Sequence, residues 1–215
     1  PQRTWLEGGE TGAPAALRAS VVPPTRRAVI AQYLRLGYTH ILPKGTDHIL
    51  FVLGIFFLAR RIKPVLIQVT AFTIAHTITL ALTIYGVVSL RPAIVEPLIA
   101  LSIVYVAVEN LFTDELNLWR VALVFAFGLI HGMGFAGVLS ELGLPRSEFL
   151  PALVSFNVGV ELGQLTVILG AYAAVGLWFR DRPWYRQRVV VPASLAIAAV
   201  GLFWAIQRIA AMSVA

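Results

Sequence analysis

The chain has no cysteine, which excludes a disulfide framework and any thiolate metal site. A metal bound here would take nitrogen and oxygen ligands. Charge is scarce too: 13% of the 215 residues are Asp, Glu, Lys or Arg, where a soluble domain carries about a quarter. That shortfall argues against an ordinary soluble fold. Lys and Arg outnumber Asp and Glu by six, but they form no patch with interleaved aromatics, so nucleic-acid binding is not expected. Only four histidines occur, and none sits in a loop. No signal-peptide pattern opens the chain, which begins at Pro1 and is expected to be a processed product or an excerpt.

What is present is apolar. Hydrophobic residues make up 58% of the chain and mean hydropathy is +0.80, the composition of a membrane protein. Residues 1–25, rich in Gly, Pro and Ala, read as a flexible extramembrane linker. Residues 26–45 read as an interfacial amphipathic helix and a turn: Gln32, Arg35 and Thr39 share one face, and Val29, Ile30, Tyr33 and Leu34 another, before Pro43 and Gly45 break the pattern. Residues 46–215 read as a transmembrane domain of six helices, near 46–62, 64–88, 93–112, 119–141, 149–178 and 189–209. The expected fold is therefore all-α, a polytopic membrane helix bundle. Its first segment is short for a span, so help from the preceding helix is expected.

Loops one, three and five carry Arg60, Arg61, Lys63, Arg120, Arg180, Arg182, Arg186 and Arg188, against Arg91 and Arg146 in loops two and four. The basic bias places the odd loops in the cytoplasm and both termini outside. Arg26, Arg27, Arg35 and Lys44 in the N-terminal flank pull mildly the other way.

Ionisable groups inside membrane segments are costly, about 2.5–3.5 kcal/mol each at mid-span on insertion scales, and are functional candidates for that reason. His40, His48, His76 and His131 all lie in or beside apolar segments. Polar stripes at helical spacing run through segment two (Thr73, His76, Thr77, Thr83), segment three (Ser102, Tyr105, Glu109) and segment five (Asn157, Glu161, Gln164). Segment four carries His131 among Gly128, Gly132 and Ala136, a small-residue row that favours close helix approach. Segment six has only Ser194 in its apolar stretch and reads as scaffold. Thr73, Thr77 and Ser102 are expected to bond backbone carbonyls, and Glu96 to match the start of its helix. Glu109 and Glu161 have two readings, as protonated interhelical partners or as cation ligands.

The most specific stretch is GYTHILPKGTDHILFVLG, residues 37–54. If Gly45 or Thr46 caps the helix, Asp47 and His48 occupy its first turn, where the helix dipole favours carboxylate and neutral imidazole. Those are the ligand states a divalent cation needs. A fold-back at Pro43–Gly45 would return His40 to the same pocket. The plain alternative is an Asp47–Lys44 surface pair with His48 at the interface.

The run from His40 to Gln164 resembles the HupE/UreJ family of membrane proteins, in particular its divergent second branch. The pieces that carry the likeness are GYTHILPKGTDHILFVLG, FTIAHTITLAL, VEPLIALSIVYVAVENL, GLIHGMGFAG and SFNVGVELGQL. The resemblance implies hydrogenase- or urease-type accessory functions, a bacterial inner-membrane location, and a metalloenzyme or secreted protein as partner besides membrane lipid. The nickel-permease branch places five residues between its first histidine and Asp-His, where His40 and Asp47 here are separated by six. It also has two His-Gly pairs, where this chain keeps His131-Gly132 alone. A divalent-cation site is implied by what remains, and nickel specifically is not.

Three functions compete at this point. The leading one is a permease or metal-delivery protein for a divalent transition metal (Zn, Ni or Co), with metal ligands His40, Asp47, His48, His76, His131, Glu109 and Glu161. The second is an intramembrane zinc-dependent hydrolase using the same residues, with Glu109 or Glu161 as general base. The third, a haem protein ligated by His76 and His131, is disfavoured by the nearby carboxylates.

Overall fold

The computed structural model describes residues 25–59, 61–113, 118–134 and 148–212. The expected linker therefore lies outside the described residues except for Thr25, as do Ala136, Arg146 and the acids Asp114 and Glu115. Among the described residues the chain is helical throughout, with no strand.

Thr25 opens α1 (Arg26–Ile41) by accepting a hydrogen bond from the Ala28 N–H at 3.4 Å. This helix buries Val29, Tyr33, Gly37 and Ile41, one residue per turn along a single stripe. The stripe packs lengthwise on α6 (Phe149–Ala171). The two backbones nearly touch: a Cβ added at Gly37 would lie 1.9 Å from the Phe156 carbonyl oxygen, and one at Gly159 2.2 Å from that of Leu34. Lipid tails are as apolar as the helices, so close contact through small residues is what holds such a pair together. Expected at the membrane interface, α1 is thus part of the bundle packing.

A turn at Leu42–Lys44 separates α1 from α2 (Thr46–Leu58). The N-cap of α2 is Gly45, and a Cβ there would meet the His40 carbonyl oxygen at 2.3 Å. With 13 residues, α2 is about 20 Å long, too short for a hydrocarbon core of about 30 Å. Taken together, α1 and α2 are long and apolar enough to cross, with a bend of 69° between them. A pair bent in this way forms either one broken span or a re-entrant loop.

Four segments qualify as spans on their own: α3 (Ile62–Ile84), α4 (Pro92–Phe112), α6 with its π-helical continuation (Phe149–Phe179), and Arg186–Met212, which contains α7 (Val191–Met212). α5 (Leu118–Gly134) is shorter; the expected segment ran to 141, beyond the described residues. Among the described residues, length and composition qualify four spans, or five with the bent pair; the sixth expected span is not confirmed.

The close pairs are α1 with α6, α3 with α5, and α4 with α7, and α2 reaches all of α3, α4, α6 and α7. α3 and α5 run parallel, since Gln68 faces Arg120 and His76 faces Gly132. α4 and α7 run antiparallel, since Asn110 faces Ser194 and Glu96 faces Arg208. A core of Phe51, Val52, Ile55, Phe56, Val69, Phe72, Ile103 and Val106 fills the space around α2. Polar groups lie above and below that core.

Candidate metal centre

Above it are the histidines. The turn brings His40, at the end of α1, to a ring-centroid distance of 4.8 Å from His48, in the first turn of α2. His76 of α3 stands 6.3 Å from His40 and 6.0 Å from His48, and His131 of α5 stands 5.1 Å from His48. His40, His48 and His76 each offer a ring nitrogen within 4.8 Å of the others. His48 is 5% exposed, His76 0% and His131 1%, so His48 is an interior group. The rings of Phe51, Phe72 and Phe156 pack around them.

Hydrogen bonds settle which nitrogen of two histidines is free to ligate. Asn157 donates from Nδ2 to the Leu153 carbonyl at 2.9 Å, which turns its Oδ1 toward His76 Nδ1 at 3.0 Å. His76 Nδ1 therefore carries the proton, and Nε2 keeps its lone pair. Ser102 donates to the Ile99 carbonyl at 2.7 Å, so its oxygen accepts from His131 Nε2 at 3.0 Å. His131 Nδ1 is then the lone-pair nitrogen. His76 Nε2, His131 Nδ1 and both nitrogens of His48 are buried and make no hydrogen bond among the described residues.

Buried lone pairs without donors are costly unless something occupies them. Second-shell bonds of the kind made by Asn157 and Ser102 orient metal-binding imidazoles. Metal–nitrogen bonds of about 2.0–2.1 Å place donors no more than about 4.2 Å apart around one ion. Three donors around one ion lie closer still, about 3.4–3.6 Å apart, so the three-histidine group could hold an ion once its rings close in by about 1 Å, and its nitrogen chemistry suits a late first-row divalent metal.

Asp47 sits beside this group, its Oδ1 3.6 Å from His48 Nδ1. Its other oxygen lies 3.7 Å from Arg208 Nη2 of α7. Arg208 also donates to the Glu96 carbonyl at 2.9 Å and covers the Trp204 ring at 5.7 Å. The reading of the last helix as plain scaffold thus misses Arg208, a charged group near the end of an apolar segment, which is the signal that marks such residues. Glu96 lies past the first turn of α4 and contributes its carbonyl there.

Glu109 and Glu161 fall elsewhere. Glu109 pairs with Arg120 Nη1 at 2.8 Å. Arg120, counted among the loop charges from sequence, lies inside α5 and is 1% exposed. It also reaches Gln68 Oε1 at 3.1 Å and Asn110 Oδ1 at 3.1 Å, and Asn110 donates to the Gly54 carbonyl and to Ser194. This network ties α2, α3, α4, α5 and α7 together below the aromatic core. Glu161 accepts from Thr70 at 2.7 Å and from Thr73, and Thr73 also contacts Gln164 Oε1 at 3.0 Å. That cluster lies on the α3–α6 seam, one helical turn past the His76–Asn157 contact. As expected, Thr73, Thr77 and Ser102 also bond carbonyls of the preceding turn.

No curated protein and no solved structure matches the chain. A family model described as HupE / UreJ protein matches residues 17–208, a stretch that runs from before α1 to Arg208 and takes in all four histidines. The chain is a member of the HupE/UreJ family.

Proposed function

We propose that the protein is a membrane permease or metal-delivery protein for a divalent transition metal, of the Ni, Co or Zn type. The observation that carries this reading is the His40–His48–His76 group, with ring nitrogens within 4.8 Å of one another at the 69° bend between α1 and α2. Interrupted helices place binding groups at membrane depth in many transporters. His131 and Asp47 extend the group, and Arg208 pairs with the Asp47 carboxylate. Glu161 and its threonines provide the next polar step, on the α3–α6 seam. Glu109, engaged by Arg120 below an apolar layer, is set apart from that route. The membrane is the bacterial inner membrane, with the N-terminus extracytoplasmic, which puts the histidine end of the bundle on the outer side.

Metal uptake into proteoliposomes tests this. Ni²⁺, Co²⁺ and Zn²⁺ are supplied to the wild-type protein and to His48→Ala, His76→Ala and His131→Ala. Uptake of at least one ion is expected, with losses of tenfold or more in His48→Ala and His76→Ala. Uptake that persists unchanged in all three variants sinks the proposal.

The second reading is an intramembrane zinc hydrolase. It draws on the three-histidine donor set, a ligand set that in catalytic zinc sites leaves a position for water. Glu161 is then the nearer general base, since it lies one turn from Asn157. Near-stoichiometric zinc surviving purification, with no uptake of any ion, would decide for it.

A further inference from the structure

A second cavity lies at the other end of the bundle and has no part in the metal reading. It measures about 230 Å³ and is lined by Arg180, Arg182, Arg186, Asp181 and Tyr185 over a floor that includes Phe57 and Val190. Among the described residues its lining sets three guanidinium groups against one carboxylate. Arg186 is already committed, donating to the Thr113 and Leu111 carbonyls at 2.9 and 3.2 Å. Arg180 is held differently. Its guanidinium lies over the Phe56 ring at 4.9 Å and the Tyr172 ring at 5.5 Å. Its Nε and Nη2 are buried and make no hydrogen bond among the described residues, and the Tyr185 hydroxyl lies beside the same guanidinium. Burial pushes the Tyr185 phenol above its ordinary range, so it stays a donor.

Buried donors left unfilled on a half-buried cation are costly, and an anionic acceptor relieves both the missing bonds and the charge. Tyr172 then connects this cavity to a second one. Its ring lies under Arg180 and also lines an apolar groove of about 430 Å³ between α3 and α6, with Ile62, Leu66, Leu165, Ile168 and Leu169. Trp178, six residues after Tyr172 on the same helical run, is 65% exposed, and tryptophan is the residue type enriched at membrane interfaces. A charged pocket joined to an apolar groove through the Arg180–Tyr172 contact matches an amphiphile with a phosphate head.

We infer that Arg180, Arg182 and Tyr185 bind the phosphate headgroup of an anionic phospholipid whose acyl chain lies in the groove between α3 and α6. Thermal unfolding of delipidated protein in detergent tests this, with phosphatidylglycerol, phosphatidylcholine or inorganic phosphate added at equal concentration. At a hundredfold excess over Kd, phosphatidylglycerol is expected to raise Tm by roughly 5–10 °C, and the other two by far less. Arg182→Gln, at an exposed side chain, and Leu169→Trp, which fills the groove and leaves the charges in place, should each remove at least half of that shift. Arg180→Gln should remove most of it, and the other two variants keep the test decisive if that one fails to fold. An equal shift from phosphatidylcholine overturns recognition of the charge. An equal shift from inorganic phosphate overturns the lipid assignment. A phosphatidylglycerol shift unchanged in both Arg182→Gln and Leu169→Trp overturns the site.

Discussion

Replacing Arg208 with glutamine should tighten metal binding. Arg208 Nη2 lies 3.7 Å from Asp47 Oδ2, and both side chains are about a quarter exposed, at 24% and 25%. At that distance the attraction is about 4.5 kcal/mol for an effective dielectric constant of 20 and about 1 kcal/mol in bulk water. A divalent ion entering the histidine group must share or take over this carboxylate, and it also meets the guanidinium charge. Removing the guanidinium removes both obstacles, for a gain of about 1.4–2.7 kcal/mol, or roughly ten- to a hundredfold in Kd. Tighter holding slows release, so transport turnover should fall as affinity rises. Binding of Ni²⁺ and Zn²⁺ is measured by titration calorimetry in nanodiscs for wild type, Arg208→Gln, Arg208→Lys and Arg208→Gln with Asp47→Asn. Arg208→Lys should stay within about threefold of wild type, and the double variant should lose the gain, which assigns it to Asp47. Because Arg208 also holds the Glu96 carbonyl, a fall in Tm is expected as well and is measured separately. A weaker or unchanged Kd in Arg208→Gln, with the protein folded, refutes the reasoning.

Three further outcomes follow from the geometry. Asn157→Ala takes the acceptor from His76 Nδ1, and metal affinity should fall ten- to a hundredfold while Tm, read in parallel, drops by only a few degrees. Gly132→Ala places a methyl 2.2 Å from Thr79 Oγ1 and 2.3 Å from the His76 carbonyl oxygen. α3 and α5 must then part by about 1 Å, at about 1–3 kcal/mol, and both thermal stability and metal uptake should decline. Arg120→Ala leaves Gln68 Oε1 and Asn110 Oδ1 without their donor and Glu109 without its cation. With Glu109 22% exposed, a loss of about 3 kcal/mol is expected, at the low end for a broken buried pair. Arg120→Met with Glu109→Gln should recover part of that in a denaturation series.

The helices and the break between α1 and α2 were legible because apolar periodicity and the Pro43–Gly45 punctuation are local properties of the chain. The return of His40 to His48 was legible for the same reason, since only six residues and one turn separate His40 from Asp47. What could not be read was depth. The stripe Ser102, Tyr105, Glu109 shares one helical face, yet seven residues carry the chain about 10 Å along the axis. Ser102 therefore touches His131, while Glu109 reaches Arg120 on the far side of the aromatic core. A face assigns direction, and a site also needs a common level. Arg120 was hidden by a related ambiguity: near a helix start a basic residue looks the same whether it faces water or turns inward, and here Gln68, Asn110 and Glu109 on neighbouring helices decide it. Arg208 meets Asp47 across 161 residues of chain, a contact that only the antiparallel packing of α7 on α4 creates. The buried polar groups thus form two layers at different depths, nitrogen donors at one and a paired guanidinium at the other, separated by Phe51, Phe72 and their neighbours. A cation passing straight down the bundle axis would leave its ligands for an apolar layer and then meet a fixed positive charge. The α3–α6 seam, where Thr73, Glu161 and Gln164 follow His76 and Asn157, offers oxygen ligands at the next turn instead, and that is why Glu161 rather than Glu109 belongs to the proposed route.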